Sequence, residues 1–372
     1  MGEWQFLGTS GHTARPSISF IARVSGIIAG ILVFATYLHW QFPHPGLPTH
    51  LISRPSTTTT ESVPGRLLRI SMVYGESNTI FERALKTHES HSRQWGNGFE
   101  VLRQDLATGF WNKPTYVLHV LTQELMKAPR ERAEWLMWVD ADSIIINPDI
   151  SPELFLPPAD LSHIHFVGTR DENGLNTGIF YLRVSTWSIS FLIETLAMPL
   201  YEPDAGLGRS ADQDAMSLVL HKETGGPSDQ GYRDGMVFIP RLWINTYERE
   251  EDGYEGKRGD MLVHFPGLEE TRWRHMGDWL DVVESRPEVW RCALEETEYW
   301  NVTREYWREY RAAYELLEDV EALQDTEDVS DATMEAAVGL KTILETEADD
   351  IVKVGQVRSK LSSTLRVGAV DS

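Results

Sequence analysis

Residues 135–148, from Trp135 to Pro148, read WLMWVDADSIIINP. An apolar run rich in aromatic and β-branched residues is the pattern of a buried strand. Asp140 and Asp142 stand at its carboxyl end, where an open α/β sheet places its ligand crevice. Because strand side chains alternate, both carboxylates point to one side and Ala141 to the other. Two converging carboxylates make a hard-oxygen site for Mg²⁺ or Mn²⁺, metals commonly shared with a diphosphate. Asn147-Pro148 then closes the segment with a turn. Two solvated acids at a strand end would leave the same letters, so the pattern alone leaves both readings open.

Outward from this strand the chain alternates. Leu67–Gly75 reads as a strand, residues 80–94 as a helix, residues 99–103 as a strand and Pro114–Met126 as a helix opened by its proline. With the strand that starts at Trp135 this gives β-α-β-α-β and predicts an α/β fold with a mainly parallel sheet covered on both faces. On the carboxyl side, 164–170 and 177–184 read as strands around the polar segment 171–176 (DENGLN). Helices are expected at 185–196 and 211–221, and short strands at 236–240 and 261–265. Beyond Trp300 the composition becomes acidic and helical, with no proline from Glu298 onward. Positions 337, 340, 344, 347, 351, 354, 358, 361 and 365 follow an alternating three-four spacing. Both a coiled-coil seam and an acidic, partly ordered tail fit it, because Gly339 and Gly355 interrupt the seam.

The 372-residue chain has room for one large domain plus appendages or for two domains, and a hydrophobic content of 41% supplies a sizeable core. A net charge of -22 with no basic stripe argues against nucleic-acid binding. Cys292 is the sole cysteine, which excludes an intramolecular disulfide. Val24 to Phe42 (VSGIIAGILVFATYLHWQF) is free of formal charge and close to the ~20 residues that span a bilayer. Tyr37, Trp40 and Phe42 lie at its end as an interfacial aromatic belt would. A cleaved signal peptide and a buried helix are the rival readings of that span. Arg15 and Arg23 before it lean toward a cytoplasmic amino end and a lumenal remainder. The expected division is a cytoplasmic tail (1–23), a transmembrane signal anchor (24–42), a Pro/Thr-rich stem (43–66), a catalytic domain (67–297) and an acidic helical extension (298–372). The sequon Asn301-Val302-Thr303 gains meaning if that remainder is lumenal.

Four further segments carry chemistry. Lys113, just before a helix start, suits a phosphate through its charge and the helix dipole. Asn173-Gly174-Leu175-Asn176-Thr177-Gly178 lets backbone approach a ligand while amides reach hydroxyls, and it equally suits a hairpin. Asp212-Gln213-Asp214 opens an apolar helix, where acids also serve as caps. His264-Phe265-Pro266-Gly267 follows a short strand, so His264 is placed to complete a metal site with two carboxylates.

Taken in order, WNKP, EWLMWVDADSIIINPDI, SHIHFVGTRDENGLNTGIFYLR, ADQDAMSLVL and LVHFPG resemble glycosyltransferase family 34. These are fungal Golgi α-galactosyltransferases and α-mannosyltransferases whose plant relatives add xylose to xyloglucan. The resemblance runs from about Leu67 to about Asp281. It implies a GT-A-type domain, Mn²⁺, a nucleotide-sugar donor (UDP-galactose or GDP-mannose) and retaining transfer of a sugar to a glycan or glycoprotein hydroxyl. It further implies a single-pass type II protein of the Golgi membrane. Asp140, Asp142 and His264 would hold the metal. Gln213 would lie near the anomeric carbon with Asp212 beside it. Lys113, Asn173, Gly174, Asn176, Gly178 and Gly267 would shape the donor and acceptor pocket.

The chain departs from the family pattern at Leu268-Glu269, where a Cys and a basic residue are expected, and at Glu172, where Asp171-Glu172-Asn173-Gly174 stands for Asp-Trp-Asn-Gly. Lys113, Arg272 and Arg274 are the candidates to replace the missing positive charge on the diphosphate. Two other readings stay open: a phosphatase of the haloacid-dehalogenase type, and a non-catalytic subunit that joins a glycan-synthesising complex through the acidic extension.

Overall fold

The computed structural model describes residues 66–73, 78–222, 231–324 and 329–368. The expected anchor, and the stem up to residue 65, lie outside them. Among the described residues no helix is long and apolar enough to cross a membrane.

The chain runs β1 (Leu67–Met72), α1 (Thr79–Gln94), β2 (Gly98–Leu102), α2 (Asn112–Met126), β3 (Trp135–Val139) and β4 (Ser143–Ile145). It continues through β5 (Phe166–Asp171), β6 (Gly174–Arg183), α3 (Thr186–Tyr201), α4 (Ala211–Leu220) and β7 (Met236–Phe238). Then come β8 (Glu248–Arg249), β9 (Gly253–Tyr254), β10 (Leu262–His264) and α5 (Arg272–Ser285). Three helices complete the order: α6 (Tyr299–Gln324), α7 (Asp331–Thr346) and α8 (Ile351–Gly368).

The main sheet has the order β2-β1-β3-β6-β5-β7. β1 lies parallel to both β2 and β3, and β5 parallel to β7, whereas β6 is antiparallel to both of its neighbours. The sheet is therefore mixed and mostly parallel, with β6 reversed because a tight hairpin at Glu172-Asn173 joins it to β5. After β1 the chain first adds β2 on one side and later β3 on the other. That reversal opens a crevice at the carboxyl ends of β1 and β3.

β3 shows why the sheet needs cover on both sides. All five of its residues are buried. Trp135, Met137 and Val139 enter one core, and Leu136 and Trp138 the other, as period-two alternation requires. The Leu136 side is covered by Val117 and Leu121 of α2, Phe191 and Leu192 of α3, and Met216 and Val219 of α4. The Trp135 side is covered by Tyr306 and Tyr310 of α6, Leu340 and Leu344 of α7, and Val354 and Leu361 of α8. Two-sided burial also explains the near-continuous apolar letters of β3.

The acidic extension is thus one of the layers of the fold, and no separate core begins at residue 298. The three-four spacing read there places Leu340, Leu344, Val354 and Leu361 against the sheet and α6. The seam is also broken between Thr346 and Ile351, where α7 ends and α8 begins. Within the sequon, Asn301 is exposed in α6, while the buried Thr303 hydroxyl donates to Tyr299 O at 2.6 Å.

A buried cation braces the other end of the core. Arg69 of β1 is 0% exposed and donates to His91 Nδ1 at 3.0 Å and to His88 O at 3.1 Å. His88 Nε2 lies 3.0 Å from Ser143 O, and His91 Nε2 lies 2.9 Å from Ile150 O. With the ε-nitrogens donating, the Nδ1 lone pairs face the guanidinium, so both rings are neutral. Burial, reinforced by Arg69, holds His88 well below the ordinary range and lowers His91 to about 3.

Two outcomes are expected. Leu340→Ala opens a cavity beneath the sheet and costs about 2–5 kcal/mol in urea denaturation, whereas the exposed Val338→Ala in the same helix stays within about 0.5 kcal/mol. The histidine pair makes stability fall on acidification. Below pH ~6.5 the unfolded chain takes up protons that the native rings refuse, and each ring then removes up to about 1.4 kcal/mol per pH unit. Denaturation midpoints measured from pH 7 to pH 5 should fall less steeply in His91→Gln than in the parent chain.

Candidate metal corner and its surroundings

β3 ends at Val139, and Asp140-Ala141-Asp142 forms the turn into β4 rather than a continuation of the strand. Strand alternation therefore does not aim the two carboxylates; the turn does. Asp140 N donates to Gly178 O at 2.8 Å, Ser143 Oγ donates to Asp140 O at 2.6 Å, and Phe265 N donates to Asp142 O at 3.0 Å. β4 pairs antiparallel with β10, with Ser143 opposite His264. This small sheet is wedged between α1 and α5 by Ala84, Ile144, Val263, Phe265 and Met276.

Asp140, Asp142 and His264 each bring one ligand atom to within 4.8 Å of the others. His264 Nδ1 lies 2.8 Å from Asn245 Oδ1. The Asn245 amide nitrogen donates to Thr169 Oγ1 and to Asn176 Oδ1, each at 2.9 Å, which assigns Asn245 Oδ1 as acceptor and His264 Nδ1 as donor. The Nε2 lone pair is left facing Asp142 Oδ1 at 3.3 Å. Two acceptors face each other across that gap, and a cation between them satisfies both. Two carboxylates and one oriented imidazole form a donor set that fits a divalent ion such as Mn²⁺.

Two side-chain cations neutralise part of this negative charge. Lys113, buried in the first turn of α2, lies 3.1 Å from Asp140 Oδ1 and 3.6 Å from Asp212 Oδ2, and donates to Thr177 O at 3.0 Å. Arg272, the first residue of α5, lies 3.2 Å from Asp142 Oδ2. Burial raises the Asp140 carboxyl above its ordinary range against the pull of Lys113, and the charge of Asp142 adds to that rise. Burial likewise works against the Lys113 ammonium, but the charges of Asp140 and Asp212 prevail and raise it. Three carboxylates against two cations leave a residual negative charge, which favours a further cation. Asp212 Oδ2 is buried without a hydrogen-bond partner.

The remaining expected residues divide into two groups. Gln213 sits at the corner, with its Oε1 accepting from Thr177 N at 3.0 Å. Asn176 and Gly178 sit there as well. Between the pairs Val167–Tyr181 and Thr169–Asn176, β5 advances two residues and β6 five, so β6 bulges. Such a bulge re-aims backbone beside a site. Here it carries Thr177 and Gly178 toward Lys113 and Asp140. By contrast, Asn173 and Gly174 lie on the exposed hairpin tip, where Asn173 N donates to Asp171 Oδ1 at 2.8 Å. The φ of 98° at Gly174 and 73° at Gly267 mark these as turn glycines.

Glu269, the departure noted above, has a left-handed φ of 43° and pairs with exposed Arg209 at 3.1 Å, away from Asp142. Of the cations proposed to replace a basic residue there, Arg272 and Lys113 reach the carboxylates, whereas Arg274 stands beside His275, 3.4 Å from Nε2. Sequence reasoning missed Asn245, Thr169 and Trp138, whose Nε1 donates to Asp140 Oδ1 at 2.7 Å. Trp138 stood only two residues before Asp140, a proximity in sequence that could have been used. Asn245 lies 69 positions after Asn176 and carried none.

A Cβ on Gly178 would meet His264 Cε1 at 2.3 Å and Asn176 Oδ1 at 3.0 Å. Gly178→Ala should therefore displace the imidazole and destabilise the fold by about 1–3 kcal/mol in urea denaturation.

Comparison with known proteins follows the same lines. The model of the galactosyl transferase GMA12/MNN10 family matches residues 159–273, which include β5, β6, α4 and His264. A probable alpha-1,2-galactosyltransferase of Schizosaccharomyces pombe, gmh1, is 29% identical over 226 residues, covering 52% of this chain and 64% of the relative. An uncharacterized alpha-1,2-galactosyltransferase of the same organism, C1289.13c, is 25% identical over 51% of this chain and 56% of its own length. Probable glycosyltransferase 3 of Oryza sativa subsp. indica is 28% identical over 46% of this chain and 38% of its own length. The chain thus spans less than two thirds of the relatives it matches. Among solved structures, a glycosyltransferase involved in glycosylation of the PBCV-1 major capsid covers 57% of this chain and 98% of itself, at 15% identity and TM-score 0.44. The galactosyltransferase LgtC covers 60% of this chain and 99% of itself, at 12% identity and TM-score 0.37. Neither likeness is strong enough to equate two folds. Residues 159–273 are thus similar to the galactosyl transferase GMA12/MNN10 family, the same resemblance that the motifs carry.

Proposed function

We propose that this protein is a metal-dependent, retaining glycosyltransferase with a GT-A-type domain. It moves galactose or mannose from a nucleotide-sugar to a hydroxyl of a glycan or glycoprotein. The observation that carries this reading is the trio Asp140, Asp142 and His264, drawn within 4.8 Å with the Nε2 of His264 left free by Asn245. The family segment at residues 159–273 supports it. Mn²⁺ is the ion we assign, because a mixed carboxylate-imidazole set suits it better than Ca²⁺. UDP-galactose and GDP-mannose are both compatible donors.

When bound, the ion supplies Lewis-acid stabilisation to the departing diphosphate. The chain's own residues supply the rest. Arg272 and Lys113 add fixed positive charge at the same carboxylates, and Arg272 takes over the role vacated at Glu269. Asp212, whose Oδ2 takes no hydrogen bond and faces only the Lys113 ammonium at 3.6 Å, is available to a donor-sugar hydroxyl. Gln213, whose Oε1 is held by Thr177 N, keeps its amide NH₂ to donate to an oxygen of the donor. An amide is a poor nucleophile, which favours attack from the face of the leaving group, with the diphosphate taking the acceptor's proton, over a covalent intermediate.

Residues 24–42 serve in this reading as the signal anchor of a type II Golgi membrane protein whose catalytic domain is lumenal. The phosphatase alternative draws no support, since Asp140 is engaged by Lys113 and Trp138 and His264 has no task in that chemistry.

The test is donor hydrolysis and transfer by the full-length protein in detergent, screened with UDP-galactose and GDP-mannose. Turnover should require Mn²⁺, cease with EDTA, and fall at least about 100-fold in Asp142→Asn. Unchanged turnover in that variant would remove the site assignment.

A further inference from the structure

The carboxyl-terminal layer touches the metal corner from behind. Arg170 of β5 holds Asp349 in a two-pronged pair, with Nε to Oδ2 at 2.9 Å and Nη2 to Oδ1 at 2.8 Å. Asp349 lies in the turn between α7 and α8, next to the fully buried Ala348. That turn is rigid, because Asp350 caps α8 through Lys353 N at 3.0 Å and Val354 N at 3.1 Å.

Alternation along β5 sends Thr169 and Asp171 to the face opposite Arg170. Both belong to the network that orients His264. Thr169 Oγ1 accepts from Asn245, whose Oδ1 accepts from His264 Nδ1. Asp171 Oδ2 accepts from Tyr247 Oη at 2.9 Å and Asn176 Nδ2 at 3.2 Å, and Asn176 Oδ1 accepts from Asn245. The end of β5 therefore carries the acceptors that set the His264 tautomer, and it is pinned from its other face by Asp349. The pin lies beyond residue 273, outside the family-matched segment.

We propose that Arg170 and Asp349 are positioning residues for the metal corner, holding the end of β5 so that Thr169, Asp171 and Asn245 aim the Nε2 of His264. The claim rests on the metal-binding reading above. A two-pronged, partly buried pair is the geometry in which an ion pair constrains position rather than merely screening charge.

The experiment measures Mn²⁺ affinity of the full-length chain by calorimetry, separately from turnover. Arg170→Ala and Asp349→Ala should each weaken Mn²⁺ binding at least five-fold, and the double variant no more than either single one. Arg311→Ala breaks another ion pair between α6 and the body, with Asp160 at 2.9 Å, and should leave the affinity unchanged. Should Asp349→Ala fail to fold, Asp349→Asn keeps the side-chain size and should show the same loss. Affinity in the Asp349 variants equal to that of Arg311→Ala, or additive losses in the double variant, overturns the proposal. Absence of Mn²⁺ binding by the parent chain overturns the metal reading, and this inference with it.

Discussion

Burial of β3 on both faces is the constraint from which the rest of the molecule follows. A strand whose five side chains all leave water must be covered above and below, and Trp135 and Trp138 demand deep cover on opposite sides. The amino-terminal helices α2 to α4 supply one layer and the carboxyl-terminal helices α6 to α8 the other. Where that double cover ends, at Val139, the next residue is a carboxylate. The apolar strand delivers Asp140 to the boundary between a low-dielectric core and the crevice, where a charge needs partners on the spot.

Those partners come from four different parts of the fold. Lys113 arrives from the first turn of α2, Arg272 from the first turn of α5, His264 from β10 and the Trp138 indole from β3 itself. No local segment could satisfy Asp140 and Asp142 together. The arrangement is nearly neutral but not fully so, and its oxygens and the His264 nitrogen point at one another across a short gap. Carboxylates held this close in a poorly solvated space repel one another, which costs stability unless positive charge offsets it. A cation is the simplest remedy, and this links the cost of the corner to its chemistry.

The corner is also supported in depth. His88 spans from Arg69 to Ser143, whose hydroxyl in turn holds Asp140 O. On the opposite side, Asn245 ties His264 to the end of β5, and Asp349 ties that end to the helical layer. The bulge in β6 places Thr177 and Gly178 between these supports, and Gly178 is the residue small enough to let the imidazole lie against the backbone. Ligand geometry thus depends on residues spread from β1 to α8.

Much of this was legible in the letters. The β3 run, the order of strands and helices, the paired acids and the histidine after a short strand all carry local signatures, because hydrophobic periodicity and turn chemistry are short-range properties. The aim of Asp140 and Asp142 was misread, since letters do not show that the strand ends one residue before the first acid. Asn173 and Gly174 looked like pocket residues, yet they sit on a solvent-facing hairpin tip. The acidic extension looked separable because charge and spacing describe one face of a helix and not what covers the other. Short-range letters already single out the acids and the histidine able to bind a metal, and the α/β class of fold that carries them. Tertiary structure alone decided that Asn245 orients His264, that Arg272 and not Arg274 meets Asp142, and that α6 to α8 complete the core. The physical reason is that hydrogen-bond tautomers, ion-pair choice and the second face of a sheet are set by groups far apart in the chain, and their distances exist only once it has folded.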